Sequence, residues 1–355
     1  MLRLLFSLLV LTYAFGCTGS EDDDIGGTTD TFDRGAMLAG WMDNVIIPSH
    51  RATLDRLSEL QVSLTAYDPA TRDSILWVQH INDFQSASLA FERQSPFIGP
   101  EGEAVRLREQ SNTYPADTEQ IKANLEGEFN LALPSSVDVQ GFPALEYLLF
   151  AKEDGAAKSL IDTEPAAREY AVQLVARMIE LQETTLTALE NNRDAYVAND
   201  GNSATASVDR TVNDFVFYYE KFLRAGKVGI PAGVFSDMPL PDRAQGLYDN
   251  RSGLLFNEAL AATEDFILAK GLADYLDALA IERNGEPLSQ LIQNQFSAIR
   301  AAARGLNNNY SIQVQQDNRR MLQLYDELQK LTILLKVDML QALNINVDYT
   351  DADGD

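Results

Sequence analysis

Residues 141–150 read GFPALEYLLF, and the interpretation of the chain starts from this stretch. It follows the polar segment SSVDVQ and carries a single charged residue, Glu146. Pro143 suits the first turn of a helix, where its fixed φ is favourable and its missing N–H costs little. Gly141 and Phe142 supply the turn that leads into it. We therefore predict a loop that becomes a short apolar helix.

Helical spacing of apolar residues continues on both sides of this stretch, and regular two-residue alternation is scarce. Downstream, the sequence Thr163-Glu164-Pro165 predicts the start of a long helix that runs to about Asn192. Upstream, one helix is predicted to be interrupted at Pro48. The next is predicted to open at Asp68-Pro69 and to bury Ile75, among other apolar residues. The fold class predicted from these patterns is all-α.

A polar segment, NDGNSATAS at 199–207, separates two halves of comparable size. After it, four more helices are predicted at about Asp209–Leu223, Ser252–Leu272, Pro287–Arg304 and Ser311–Leu343. A chain of 355 residues exceeds the length at which a single core keeps growing. We therefore predict two helical bundles, residues 33–200 and residues 201–355. A dense group of aromatic residues at 215–222 is predicted to lie in the core of the second bundle.

The N-terminus, MLRLLFSLLVLTYAFGC, has one basic residue and an apolar run too short to span a bilayer. Residues 1–16 are therefore predicted to be a signal peptide. Gly16-Cys17 resembles the cleavage box of bacterial lipoproteins, which predicts a lipid on Cys17; the alternative is a plain signal peptide that leaves a free thiol. Residues 17–32 have the composition of an acidic tether. We expect an outer-membrane lipoprotein of the cell envelope, attached to the membrane by its lipid and facing the periplasm or the cell surface.

Composition limits the function. The chain has 28 basic and 53 acidic residues, a net charge of -25, so that binding to nucleic acid by a broad basic face is excluded. It has two histidines, His50 and His80, and one cysteine. A zinc site built from several His and Cys ligands cannot be assembled, and any metal site must consist mostly of oxygen. Both histidines are predicted to be structural residues at the surface or the edge of the core.

The segment GFPALEYLLF resembles the signature helix of the imelysin-like family, whose pattern is G-x-H-x-x-E. Gly141 and Glu146 match this pattern, and Pro143 stands where the family has histidine. Four other segments agree with the family in order and spacing: DNVIIPSH at 43–50, KVGIPAG at 227–233, LYDNRSGLLFNEAL at 247–260 and the C-terminal LTILLKVDMLQALNINVDYTDADGD.

The resemblance covers nearly all of the mature chain and implies an all-helical architecture of two bundles. It also implies a functional site near the signature helix, where the halves meet, and an envelope protein linked to iron acquisition. Some members of the family have been called metallopeptidases.

Loss of the histidine changes the chemistry of the motif. Proline has no side-chain donor atom, so position 143 can neither bind a metal nor act as a general base. We therefore predict no catalytic residue, and a ligand-binding cleft that includes Gly141, Pro143 and Glu146. Glu146 itself has two interpretations: a glutamate that caps backbone N–H groups or favours the helix dipole, or a cation ligand or hydrogen-bond acceptor in the cleft. An oxygen-only iron or calcium site could draw further ligands from Glu92, Asp214, Glu220 and Glu264.

These observations favour an exported imelysin-like lipoprotein that acts as a non-catalytic binding component in bacterial iron acquisition. Its expected partners are an iron-containing ligand or other components of iron uptake, and iron is the candidate for any bound cofactor. Two alternatives remain open: a divergent metallopeptidase whose metal is held by other carboxylates, and a surface interaction or scaffold protein with no small ligand.

Overall fold

The computed structural model describes residues 31–71, 73–152, 158–347 and 349. Helices dominate this part of the chain, which confirms the all-α prediction. Within it, the only strands are β1 (Glu282–Arg283) and β2 (Glu286–Pro287), which have two residues each and form an antiparallel hairpin. The signal peptide, Cys17 and nearly all of the tether lie outside the described residues, so the predictions for them stay predictions. None of the described helices is long and apolar enough to cross a membrane.

The α-helices of the described residues are α1 Arg34–Trp41, α2 Ile47–Ala66, α3 Ser74–Gln94, α4 Gly99–Ala104, α5 Leu107–Asn112, α6 Thr118–Glu126, α7 Gly141–Phe150, α8 Leu160–Thr163, α9 Pro165–Ala198, α10 Ser207–Tyr218, α11 Ile230–Ala232, α12 Ser252–Ala269, α13 Leu272–Ala278, α14 Leu288–Ala303, α15 Tyr310–Thr332 and α16 Leu340–Ala342. Short 3-10 helices are formed by Ser95–Phe97, Pro134–Val139 and Pro241–Arg243.

Wider π-helical turns join several of these helices. They cover Met42–Ile46, Tyr219–Gly229 and Ile333–Met339. The first two closely precede Pro48 and Pro231, which cannot donate a backbone hydrogen bond. A π-helical turn changes the bonding register and lets the helix continue past such a residue. The interruption predicted at Pro48 therefore takes the form of a π-helical segment that leads directly into α2.

The start of α3 differs from its prediction. Asp68 forms a turn, in which its side chain accepts a hydrogen bond from the N–H of Ala70. The helix starts only at Ser74, after Asp73 accepts hydrogen bonds from the next turn. Ile75, predicted to be buried, is 77% exposed. The buried face of α3 is largely polar instead and includes the residues His80, Asp83, Ser88, Glu92 and Gln94. Phe84 also lies on this face, so apolar spacing located it only in part.

Buried apolar residues form two clusters. The first core contains residues of α2, α3 and α5–α9, with nearly all of α7 among them. The second core contains residues of α10 and α12–α16, including the buried aromatic residues Phe215, Tyr218 and Tyr219. Most of that group is therefore core, as predicted, whereas Phe217 and Phe222 are half-buried.

Helix α1 belongs to the second core rather than to the first. Trp41 lies 4.8 Å from Phe266, centroid to centroid, and its Nε1 donates to the carbonyl oxygen of Lys270 at 2.7 Å. The two cores are therefore not separated simply at the 199–207 segment. The division into residues 33–200 and 201–355 stays a prediction.

Candidate functional site

Helix α7 begins with Gly141, whose backbone conformation and close contacts exclude a residue with a side chain. Gly141 has a φ of +75°, in the left-handed region that side chains other than glycine rarely adopt. A Cβ atom at this position would lie 2.2 Å from the carbonyl oxygen of Ser111, near the end of α5. The first residue of the signature therefore fixes the contact between α5 and α7. The sequence predicted the turn at Gly141 but not this contact.

Pro143 lies in the first turn of α7, as predicted. All residues from Gly141 to Leu149 are buried, so that the signature helix runs through the first core rather than along its surface. The side chain at position 143 is thus a buried hydrocarbon ring that has no atom able to donate a hydrogen bond or bind a metal.

Glu146 bridges the signature helix to a distant loop. Its Oε1 atom accepts hydrogen bonds from the backbone N–H groups of Tyr248 at 2.6 Å and Asp249 at 3.0 Å. These residues precede α12 and lie 102 and 103 positions away in the sequence. Glu146 therefore caps backbone N–H groups, as one interpretation expected, but those of a loop rather than of its own helix. The arrangement also joins two of the segments that carry the family resemblance.

The environment of Glu146 disfavours its charged form. Burial and the nearby carboxylate of Asp249 raise the pKa of Glu146 to about 8, although the two backbone N–H groups and Arg251 oppose this shift. Burial also raises the pKa of Asp249, which lies 3.7 Å from the guanidinium of Arg251. The carboxyl pair therefore tends to retain a proton near neutral pH, and its attraction for a cation is reduced.

A second buried network lies beside this contact, and we call it the Glu92 network. Glu92 of α3 forms an ion pair with Lys227 at 2.8 Å and accepts a hydrogen bond from Nε2 of Gln245 at 2.7 Å. Gln245 also donates to Oδ1 of Asn112 at 3.0 Å and accepts a bond from Lys227. Burial lowers the pKa of Lys227, and the charge of Glu92 opposes that shift. Four segments far apart in the sequence therefore meet at one satisfied polar cluster.

The space between Glu146 and the Glu92 network is small. A cavity of about 10 Å³ lies there, and its wall includes Pro143 and Asp249. That volume corresponds to about one water molecule. An organic ligand does not fit in this arrangement, and the assignment of Gly141, Pro143 and Glu146 to a ligand-binding cleft stays a prediction.

The four carboxylates considered as additional ligands each have a cationic partner of their own. Glu92 pairs with Lys227, and Asp214 forms a two-pronged pair with Arg108 at 2.6 and 3.0 Å. Glu220 lies near Lys336 at 3.4 Å and Arg224 at 3.7 Å, and Glu264 pairs with Arg300. Among the described residues, no group of three or more His, Cys, Asp or Glu side chains is placed to hold a metal ion.

The residues at the signature helix therefore do not fit a metal ion. Pro143 offers no lone pair, and Oε1 of Glu146 already accepts two hydrogen bonds. The carboxyl pair can retain a proton, and the hydrogen bonds of Glu146 hold α7 against the loop that contains Tyr248 and Asp249.

His50 is a satisfied core residue. Its Nε2 lies 3.0 Å from the carbonyl oxygen of Phe97, and its Nδ1 lies 2.8 Å from Nε2 of Gln182. This pattern requires the neutral ring, with the proton on Nε2. Burial lowers the pKa of His50 to about 4. Neither nitrogen is available to a metal.

His80 is also buried, but among the described residues neither of its ring nitrogens makes a hydrogen bond of normal geometry. The rings of Tyr67 and Trp77 lie 4.7 and 4.8 Å from its own, centroid to centroid. Burial lowers the pKa of His80 to about 4. The two histidines lie on different helices and are not joined by any contact among the described residues.

Sequence reasoning missed Lys227, Gln245 and Asn112. Lys227 belongs to KVGIPAG, one of the segments that carry the family resemblance, and this was the only signal that pointed to it. A lysine, a glutamine and an asparagine in separate segments otherwise resemble ordinary surface residues.

Comparison with known proteins agrees with this architecture. An imelysin-like protein from Psychrobacter arcticum 273-4 superposes with a TM-score of 0.72 at 15% identity, over 89% of this chain and 97% of that chain. A protein from Parabacteroides distasonis ATCC 8503, assigned as an iron-regulated protein A precursor, gives a TM-score of 0.65 at 13% identity, over 88% and 97%. At such identities the likeness is one of fold. No curated protein sequence matches significantly.

The sequence itself matches the family model described as Imelysin over residues 46–335, which is most of the chain. The match includes the signature helix, the loop that Glu146 binds and the Glu92 network. The resemblance inferred from GFPALE and its companion segments is thus confirmed, and this chain belongs to the imelysin family.

Proposed function

We propose that this protein is an exported, lipid-anchored imelysin that binds an iron-containing ligand or partner in the bacterial cell envelope and catalyses no reaction. The observation that carries the proposal is the identity of residue 143 and the engagement of Glu146 in the signature segment. Pro143 replaces the imidazole, and Glu146 is engaged by the N–H groups of Tyr248 and Asp249.

A metal-dependent peptidase needs several ligands around the ion, an open coordination position and a general base. At this helix the carboxylates of Glu146 and Asp249 meet, and burial raises the pKa of both. A partly protonated pair without a nitrogen ligand is a poor metal site. This supports a binding role over a catalytic one.

The link to iron is supported by family membership and by the iron-regulated protein among the structural neighbours. The envelope location is supported by the N-terminal sequence, with its short apolar run and Gly16-Cys17. The proposed anchor is a lipid on Cys17.

We place the proposed ligand contact at the signature segment, Gly141 to Glu146. The cavity there holds about one water molecule, so a larger ligand has to displace the 247–251 loop from Glu146. Ligand binding and the two hydrogen bonds of Glu146 then compete. Removing the carboxylate should therefore change affinity.

The first experiment separates binding from catalysis. Purified protein is assayed against a peptide library with and without a chelator, beside the variant Pro143→His, which restores an imidazole three residues before Glu146. We expect no chelator-sensitive cleavage by the natural chain. Such cleavage by the natural chain would establish the metallopeptidase alternative instead.

The second experiment tests the ligand. Isothermal titration calorimetry with ferric citrate, haem and a ferric siderophore compares the natural chain with Glu146→Ala. Glu190→Ala, which removes one partner of an exposed ion pair with Arg51, serves as the matched control. We expect at least one iron species to bind and only Glu146→Ala to alter its affinity. Equal affinity in all three proteins would remove the signature segment from the binding site.

The anchor has a separate test. Cells that express the full chain or Cys17→Ser are labelled with a fatty acid and fractionated. We expect the label and the membrane association to be lost together in the variant. Retention of both would show that Cys17 is not the lipidated residue.

A further inference from the structure

A cavity much larger than the one at the signature helix lies between α9 and α10. Its volume is about 250 Å³, and we call it the α9–α10 cavity. Its walls come from these two helices, the π-helical segment Met42–Ile46, Phe97 and the start of α4. A second cavity of about 330 Å³ shares Pro100, Arg210 and Asp214 with it. Sites for small ligands occupy roughly 300–1,000 Å³, so the two cavities together have the size of such a site.

The inner wall of the α9–α10 cavity is apolar. It is formed by the side chains of Met42, Ile46, Phe97 and Leu189. Two of these belong to the π-helical segment, and π-helical turns occur often at functional sites. An apolar group of a ligand would therefore find hydrocarbon contacts on this wall.

The rim carries one positive and one incompletely satisfied negative group. Arg210 is exposed, and its guanidinium forms no hydrogen bond or ion pair within the described part of the chain. Within the described residues, Glu101 accepts one hydrogen bond, from Nδ2 of Asn192 at 2.9 Å, which leaves further acceptor capacity on its carboxylate. The third charged group of the lining, Asp214, is neutralised by Arg108.

The remaining polar groups are Glu103, which lines the adjoining cavity, and several neutral side chains. The hydroxyl groups of Tyr196 and Thr211 lie 2.7 Å apart on facing helices of the α9–α10 cavity. In the adjoining cavity, Asn213 is 4% exposed, and its Oδ1 atom has no partner within the described residues. A buried acceptor without a donor is costly unless a bound group supplies one.

These groups decide the class of ligand. An anion alone would meet Glu101 and a protein of net charge -25, and a cation alone would meet Arg210. A molecule with both charges and an apolar body satisfies the two rim groups and the inner wall together. We propose that the α9–α10 cavity binds a zwitterionic apolar amino acid, with its carboxylate on Arg210, its ammonium on Glu101 and its side chain against Met42 and Leu189. This site is separate from the signature helix and independent of the proposed role in iron uptake.

The ligand arm of the test uses calorimetry on the full chain with L-leucine and L-phenylalanine. N-acetyl-leucine removes the ammonium charge, leucinamide removes the carboxylate, and the dipeptide Leu-Leu separates the two charges. We expect the amino acids to bind and each of the first two modifications to weaken binding by about tenfold or more, the effect of losing one charge-assisted hydrogen-bonded contact. Tighter binding of Leu-Leu would identify a short peptide of the same chemistry as the ligand.

The protein arm uses paired variants. Arg210→Gln should weaken binding by about tenfold or more, whereas Arg243→Gln, an exposed arginine outside both cavities, should not. Ala195→Phe places a ring in the cavity and should abolish binding. Ala198→Phe makes the same change at an exposed position of α9 outside the lining and should leave binding intact.

Thermal unfolding of each variant without ligand shows whether it is folded, so loss of binding in a folded Ala195→Phe protein counts as support. The proposal is overturned if no amino acid or dipeptide binds at millimolar concentration. It is also overturned if binding is the same in Arg210→Gln and Arg243→Gln. Neither outcome touches the iron experiments, which report on Glu146.

Discussion

The signature helix and the α9–α10 cavity hold their polar groups in opposite states. At the signature helix, Glu146 accepts two backbone hydrogen bonds and the neighbouring Glu92 is paired with Lys227, and the space left holds about one water molecule. At the α9–α10 cavity, Arg210 has no partner within the described residues, and the open volume is about 250 Å³. The segment that identifies the family is thus occupied with internal contacts, and the open polar surface lies elsewhere.

The largest effects on stability are expected from substitutions at the signature helix and the Glu92 network, where the polar groups are paired within the protein. These substitutions test the contrast directly. Gly141→Ala places a Cβ atom 2.2 Å from the carbonyl oxygen of Ser111 at a φ of +75°. Because backbone has to move, we expect the free energy of unfolding to fall by about 5 kcal/mol. Urea unfolding followed by circular dichroism measures the change.

Gly40→Ala is the matched control for that substitution. Gly40 lies in α1, and an added Cβ would meet nothing within 4 Å. Alanine favours the helix, so we expect stability to rise by about 1 kcal/mol. Equal effects at the two glycines would show that the contact between α5 and α7 does not depend on Gly141.

The Glu92 network gives the second prediction. Lys227→Met leaves the carboxylate of Glu92 buried without its cation, and we expect a loss of about 4 kcal/mol in urea unfolding. The double variant Glu92→Gln/Lys227→Met removes the uncompensated charge and should recover part of that loss. Arg51→Met, in an exposed ion pair with Glu190, should cost less than about 0.5 kcal/mol. A double variant less stable than Lys227→Met would contradict this account.

The third prediction concerns acid. The pKa of His50 is lowered from 6.5 in the unfolded chain to about 4, so the folded state favours the neutral ring. This contributes about 3 kcal/mol above pH 6.5, and the contribution is lost as the pH falls from 6.5 through 4. Unfolding free energies measured between pH 7 and pH 4 in a Glu146→Gln background should show this decline, because the carboxyl group of Glu146 changes stability in the opposite direction over the same interval.

Ring-proton NMR provides a direct check, since the chain has only two histidines. We expect both to titrate near pH 4, and His80→Phe assigns the remaining signal to His50. A midpoint near 6.5 for His50 would mean that its hydrogen bonds to Phe97 and Gln182 are not formed in solution.

The smallest effect is expected at Glu146. Glu146→Ala leaves the N–H groups of Tyr248 and Asp249 without an acceptor and should cost about 2 kcal/mol. Glu146→Gln keeps an acceptor oxygen and should cost less.

The difference in stability between the natural chain and Glu146→Gln should also depend on pH. The folded pKa of Glu146, about 8, exceeds the unfolded value of 4.5, so its contribution is present below pH 4.5 and is lost as the pH rises through 8. The natural chain should lose stability relative to Glu146→Gln over this interval. A difference between the two proteins that does not change with pH would show that Glu146 is ionised throughout.

Helix positions were largely predictable from the sequence, because they depend on local spacing and on prolines. The start of α9 at Pro165 and the start of α12 at Ser252 agree with the prediction. The burial of Ile75 was predicted wrongly, because which face of α3 is buried depends on α2 and α12 rather than on α3 alone.

The site was predictable only in part. The turn at Gly141 and the first-turn position of Pro143 followed from residue types. The partners of Glu146 did not, because the hydrogen bonds cross 102 and 103 residues of chain and end on backbone N–H groups, which every non-proline residue carries. The cationic partners of the four candidate carboxylates were hidden for the same reason.

By itself, then, the sequence determined that the chain is helical, that it belongs with the imelysins and that position 143 has no lone pair to offer. These properties reside in residue identities and in spacings of a few residues. Tertiary structure alone decided that Glu146 and Glu92 are satisfied internally, that His50 is neutral, and that Arg210 faces an open cavity. Burial and pairing arise when distant segments meet, and the free energy of a polar group depends on what then surrounds it.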